Sequence, residues 1–351
     1  MLAILYRYRF LLALAVTSLP VVGYVHGQNW YALIVGFGII PLLDLLLGKD
    51  VRNPSPRAMA DLEEARIFRW ITYVYVPIHL ALILWGAIVV SQGEWSLAQR
   101  LGFMLSVGFV TGAQGITVAH ELGHKKSKLE RILAQVLLVT VCYGHFYIEH
   151  NRGHHVRVAT FADPASARLG ESFYAFYLRT VIGSFASAWH LENQRLAQLG
   201  LPVLHRRNQM LWYIAVPILI CAAFWAALGT VAAVFFVVQS VMAFSLLEAV
   251  NYIEHYGLAR KQREDGHHER VNELHSWNAP QFLTNCFLIH LQRHPDHHKN
   301  PTRRYQALLH YEASPQLPTG YAGSILLALV PPLWFAVMDR RVRAAQAAQS
   351  A

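Results

Sequence analysis

Four short stretches of this sequence gather histidines at spacings that suit metal binding: His120-Glu-Leu-Gly-His124, Glu149-His150-Asn-Arg-Gly-His154-His155, Asn251-Tyr-Ile-Glu-His255 and His294-Pro-Asp-His297-His298. They hold nine of the nineteen histidines. Residues four apart share a helix face, so His120 with His124, His150 with His154, and His294 with His298 can each reach one metal ion, while His155 and His297 point elsewhere. A doubled histidine ending two of the clusters therefore suits two adjacent ions. Pro295 fits the first turn of a helix and places His294 at a helix start.

Imidazole binds zinc, copper, iron and nickel, so donor type alone does not name the metal. Two tetrahedral structural zinc ions would be saturated by such a set, whereas two six-coordinate irons retain a few positions for oxygen. Iron with oxygen chemistry is favoured. Glu121, Glu149, Asp163, Glu254 and Asp296 lie near the histidines in the sequence and can accept the second ring N–H, fixing the tautomer, or serve as ordinary carboxylates. The first cluster also matches the H-E-x-x-H pattern of zinc proteases, with Glu121 as base, but the other three clusters have no role in that reading. The remaining histidines, His190 and His290 among them, read as surface or packing residues. Cys142, Cys221 and Cys286 stand alone, which argues against a disulfide scaffold, a thiolate metal site or a built-in electron-transfer module.

The elements that must position these clusters are apolar. The 351 residues are 54% hydrophobic and 15% charged, which points to a membrane protein. Six runs approach the length of a bilayer crossing, roughly Phe10–Val25, Trp30–Gly48, Trp70–Ser91, Leu101–Ala119, Leu211–Gly229 and Thr230–Val250. The first is read as a retained span because no small-residue cleavage site follows it. Arg7, Arg9, Lys49, Arg52, Arg57, Arg66 and Arg69 flank these runs on one side, so both termini and the histidine clusters are expected on the cytoplasmic face. The net charge of +9 then reflects topology and anionic lipid, and nucleic-acid binding is not expected.

The expected fold is an all-α integral membrane domain of about six transmembrane helices with a cytoplasm-facing site. Along the chain it divides into four spans over 1–119, a His-rich cytoplasmic or interfacial region over 120–210, a two-span hairpin over 211–250, and a His-rich C-terminal part with a membrane-associated tail over 251–351. The apolar segment Lys128–Tyr147 must stay buried, re-entrant or interfacial, since one crossing would separate the clusters on either side of it. Ser324–Met338 is ambiguous in the same way, and Pro331-Pro332 argues against a straight span.

At these clusters the chain resembles the alkane 1-monooxygenases, membrane non-haem di-iron hydroxylases of alkane-degrading bacteria related to xylene monooxygenases and fatty-acid desaturases. The likeness runs through His120–Lys125, Glu149–Val156, Arg157–Ser166, Ser187–Glu192, the NYIEHYGL element Asn251–Leu258, and Leu291–Gln306. Phe161-Ala162 and Pro295 are small departures. The resemblance implies two irons held by His120, His124, His150, His154, His155, His255, His294, His297 and His298. It also implies a separate rubredoxin reduced by an NAD(P)H-dependent reductase, and location in the bacterial inner membrane. Lys125, Lys126, Lys128, Arg303 and Arg304 would then offer an acidic rubredoxin a basic docking face, or simply be cytoplasmic charge.

The implied reaction uses O2 to convert the end of a medium- or long-chain alkane to a 1-alkanol. Terminal selectivity needs a narrow apolar channel, because inner methylenes carry weaker C–H bonds. Gly36 and Gly38 in the second run are candidates for its wall, or for ordinary helix packing. Xylene, acyl or terpenoid substrates could use the same metals, as could a desaturation. A non-catalytic metal transporter or sensor would instead place ionisable residues along the spans.

Overall fold

The apolar runs fold as helices, and among residues 6–348, which this computed structural model describes, no β-strand forms. In chain order, α1 (Tyr6–Thr17) and α2 (Leu19–Val25) form a pair bent by 45°. The helix α3 (Tyr31–Leu47) precedes the amphipathic α4 (Pro56–Glu64), and the long α5 (Arg66–Gln92) and α6 (Leu97–Gly123) follow. After α7 (Lys128–Val139), a short irregular helix α8 (146–157) leads to α9 (Phe173–Gln198), α10 (Gln209–Leu228) and α11 (Thr230–His255). The C-terminal part carries α12 (Phe282–Phe287), α13 (His294–Lys299), α14 (Tyr321–Ala328) and α15 (Pro331–Ala348).

Four helices, α5, α6, α10 and α11, are long and apolar enough to cross a membrane, and up to six crossings result if each bent pair counts as one. The sixth does not fall where the sequence places it. The run Trp30–Gly48 yields the shorter α3, which at about 1.5 Å per residue reaches roughly 25 Å and falls short of a full hydrocarbon core. The second bent pair is α14 with α15, turned through 119° at the Pro331-Pro332 step.

Local signals explain several boundaries. Ser96 and Gln99 form a reciprocal capping box at the start of α6. Gly229, at φ 86°, adopts the left-handed turn that closes the α10–α11 hairpin. Helix α7 has 12 residues, too few to cross, so the clusters on either side of it stay at one end of the bundle. Its apolar face, Ala134, Leu137 and Leu138, joins the core while Leu129 and Ile132 are exposed.

Helix α11 is the axis of the bundle, packed against α5, α6, α9 and α10. Close approach to α6 depends on small residues: a Cβ added at Gly112 would lie 2.7 Å from Ala243 Cα, and one at Gly108 2.7 Å from the Gln239 carbonyl oxygen. Helix α10 lies outermost and presents Trp212, Ile218, Leu219 and Trp225 to its surroundings. Beneath the histidines, Glu248 of α11 accepts from Tyr143 (2.6 Å), Thr180 of α9 (2.8 Å) and Asn251 (3.1 Å), so three donors satisfy one buried carboxyl.

Gly112→Val should therefore lower stability by about 1–3 kcal/mol, because backbone stands in the way and cannot rotate aside. Gly38→Ala should be neutral, since that position faces open space. Thermal unfolding in detergent checks both, and equal effects would contradict the packing described.

Candidate metal centre

Each histidine arrives on the end of a helix. Helix α6 delivers His120 and His124, α8 delivers His150, His154 and His155, α11 ends at His255, and α13 carries His294, His297 and His298. They meet as two groups, His120, His124, His150, His155 and His297 in one, His154, His255, His294 and His298 in the other. Within each group one nitrogen per ring lies within 4.8 Å of all the others.

The pairings of His120 with His124 and of His294 with His298 follow α-helical spacing. His150 and His154 do not pair, and His155 and His297 do not point away: both belong to the first group. The cause is a π-helical segment, Glu149–His154, whose wider turn brings His155, five residues on, beside His150 at 3.1 Å and sends His154 to the other group. A second π segment, Thr111–Ile116, immediately precedes the turn that carries His120.

The ring nitrogens fit a metal. In the first group Nε2 atoms are separated by 2.9 Å (His124–His150) and 3.1 Å (His155–His297). In the second the separations are 2.9 Å (His294–His298), 3.2 Å (His255–His294) and 3.3 Å (His154–His298). Nitrogens bound to one ion at about 2.1 Å stand roughly 3.0 Å apart at right angles and roughly 3.4 Å apart in a tetrahedron. His120 Nε2 is buried without a hydrogen-bond partner, a lone pair awaiting one. Burial, and then the neighbouring imidazoles, hold His150, His155, His294, His297 and His298 well below the ordinary histidine range, so these rings are neutral and can ligate.

Of the five carboxylates, two meet a ligand. Asp163 Oδ2 accepts from His154 Nδ1 at 2.8 Å, and Ser166 supports the same oxygen at 2.6 Å. Burial pushes the Asp163 carboxyl up, but its contacts with His154 and Ser166 outweigh this and bring it down to about 2. Glu254 Oε1 lies 3.2 Å from His294 Nδ1, out of line for a good hydrogen bond, and accepts from the Tyr321 hydroxyl at 2.5 Å. The other three act elsewhere. Glu121 pairs with Lys125 at 3.0 Å, which leaves no base for a protease mechanism. Glu149 pairs with Arg157 at 2.6 Å, and Asp296 binds Arg303 at 2.6 Å and Tyr311 at 2.8 Å. Each found a cation or donor closer than any imidazole edge.

The expected basic face is thinned by the same pairings. Lys125 is buried on Glu121 and donates to the Arg303 carbonyl at 2.8 Å, and Arg304 pairs with Glu130 at 3.0 Å. Lys126 and Lys128 remain exposed.

An apolar slot runs from the metal groups between α3, α6, α11 and α14. His120, His150 and His294 stand at one end, and Gly36, Phe37, Phe109, Ile116, Leu246 and Ile325 are among its walls. Its empty space, counting the part open to its surroundings, is about 770 Å³, and its lining is mostly apolar side chains. Gly36 lies on it, where a Cβ would strike the Phe109 ring, whereas Gly38 is exposed and outside it. Tyr321, Glu248 and the π segments were not singled out from sequence. A glycine inside a histidine cluster was the available signal, since a Cβ at Gly153 would meet Glu149 Oε1 at 2.5 Å.

Helices that end in histidine clusters over an apolar slot define a membrane protein of the desaturase type, and a fatty acid desaturase family model matches residues 95–325. The chain is 48% identical to alkane 1-monooxygenase 2 of Pseudomonas aeruginosa over 92% of its own length and 86% of that protein's. It is 42% identical to an alkane 1-monooxygenase of Ectopseudomonas oleovorans over 88% and 77% of the two chains. A xylene/toluene monooxygenase hydroxylase component of Pseudomonas putida is 28% identical over 95% and 88%. The chain belongs to the alkane 1-monooxygenase family.

Asp163→Asn should weaken metal retention by about 10–100-fold, as expected when a ligand loses its carboxylate. Metal analysis after chelator titration measures it. The grouping is tested by pairs: His154→Ala with His298→Ala strips two ligands from one ion and should remove about half of the bound metal. His150→Ala with His154→Ala should spread its loss over both ions, and a clean removal of one ion by that pair would contradict the grouping.

Proposed function

We propose that the chain is an oxygen-dependent alkane 1-monooxygenase in which the nine histidines hold two irons and a separate rubredoxin supplies electrons. The observation that carries this reading is the slot: its walls are mostly apolar, and histidines of both groups are among its lining. Iron, when bound, supplies the oxygen activation that no side chain can bring to an unactivated methyl C–H bond. The protein does the placing. The slot takes an alkane chain with its terminal carbon toward the histidines, and its apolar walls keep water from the reacting end. The Tyr321 hydroxyl and Glu254 Oε1 hold a proton between them on the slot wall beside His294.

The isolated cysteines support an external electron donor, reduced in turn by an NAD(P)H-dependent reductase. Lys126 and Lys128, exposed two and four residues after His124, are the cations of the original set best placed for an acidic partner; Lys125, Arg303 and Arg304 brace the fold. Arginines and lysines cluster at the histidine end of the bundle, which supports a cytoplasmic centre and cytoplasmic termini in the inner membrane.

Purified in lipid and supplied with rubredoxin, its reductase, NADH, oxygen and a mixture of alkanes, the protein should bind iron and release 1-alkanols. Bound zinc, no oxygenated product, or an alkene as the sole product class would overturn the reading. Gly36→Trp should push Phe109 into the slot and move the preferred substrate to shorter chains, while Gly38→Trp should leave the length profile alone. An unchanged profile for Gly36→Trp would remove Gly36 from the channel.

A further inference from the structure

Away from the metal groups, the most uneven charge lies where α1 meets the segment after α3. Three guanidinium groups converge on one carboxylate: Arg9 Nη1 stands 2.7 Å from Asp50 Oδ2, Arg52 Nε 3.2 Å from Oδ1, and Arg293 Nη2 3.9 Å from Oδ2. The side chains of Asp50, Arg9 and Arg293 are 5%, 9% and 1% exposed. His290, which touches Arg9, brings no negative charge. Arg293 otherwise donates to the carbonyls of Leu308, Asp50 and Arg52, and the Nε atoms of Arg9 and Arg293 are buried without partners. Arg52 is 79% exposed, so it is Arg9 and Arg293 that are withdrawn from water with Asp50, and two buried positive charges against one buried negative charge are costly until an anion completes the set.

Space for that anion adjoins the cluster. A cavity of about 480 Å³ has Arg7, Arg9 and Arg52 among its lining, Leu62 and Phe282 as apolar wall, and Asp61 as its further carboxylate. Its height in the bundle is set by Arg293, which directly precedes His294, and by Arg7 and Arg9 at the start of α1, so it opens at the membrane-surface level of the histidine end. Nearby on α3, Leu45 and Leu46 are exposed, which gives a bound headgroup an apolar flank for its chains.

We infer that this cavity is a phosphate-binding site for the headgroup of an anionic phospholipid, held by Arg7, Arg9 and Arg52. Occupancy fixes Arg9 and Arg52 on Asp50, and through Asp50 and Arg293 it braces the segment that delivers His294, His297 and His298. A free phosphate offers the same chemistry without the tails.

The test uses the metal-loaded protein, delipidated in neutral detergent, with thermal unfolding as readout and native mass spectrometry for retained lipid. Phosphatidylglycerol should raise the midpoint saturably and remain bound, whereas phosphatidylcholine should not. Arg7→Gln with Arg52→Gln should shift half-saturation upward roughly 30-fold, since each surface cation adds a comparable increment of attraction. Arg206→Gln with Arg207→Gln, which removes equal charge elsewhere, should leave it in place. A saturable rise with inorganic phosphate at similar concentration would support the phosphate site and assign its occupant to free anion. No saturable rise with either anion, or an equal shift in both double variants, would overturn the inference.

Discussion

Imidazoles that aim their lone pairs inward repel one another unless positive charge sits between them. Nε2 atoms about 3 Å apart in two groups therefore mark a place that could hold metal ions, and much of the fold serves to hold that arrangement. No single element could do so. Ligands come from α6, α8, α11 and α13, separated by as many as 178 residues of chain from His120 to His298, so the centre forms only when the bundle closes.

Closure rests on α11. Gly108 and Gly112 let α6 approach it at backbone distance, which sets where His120 and His124 stand relative to His255. Glu248 fixes α9 and the turn before α8 to the same helix through Thr180 and Tyr143. The π segments then make the final adjustment. Each adds a residue to a turn without breaking the helix, and in α8 that extra residue divides three histidines between the two groups.

How far the sequence could be read follows from which forces are local. Helical spacing correctly joined His120 with His124 and His294 with His298, because those turns are regular. It failed at His150 and His154, because a π turn is a response to tertiary packing and looks like an α turn in residue types. The carboxylates show the same divide. Asp163 sits nine residues from His154 and reaches it by a tight loop, whereas Asp296 lies within the cluster of His294, His297 and His298 yet is captured by Arg303 and Tyr311. The i,i+4 spacing of Glu121 and Lys125 was a readable warning that Lys125 would not be free for a partner. Hydropathy located the four long spans, but α3 falls short because the helix runs only from Tyr31 to Leu47 and ends at Gly48, whose φ is 72°.

Gly36, inside the π segment of α3, leaves room that the Phe109 ring fills on the slot wall. Phe37 meets that ring edge-on at 5.3 Å, so two aromatics and one missing side chain define the wall of the slot. The two histidine groups are specified by residue identity. The slot wall is specified by what is absent at one position and by how one ring leans, so its shape can change while the histidine groups stay as they are.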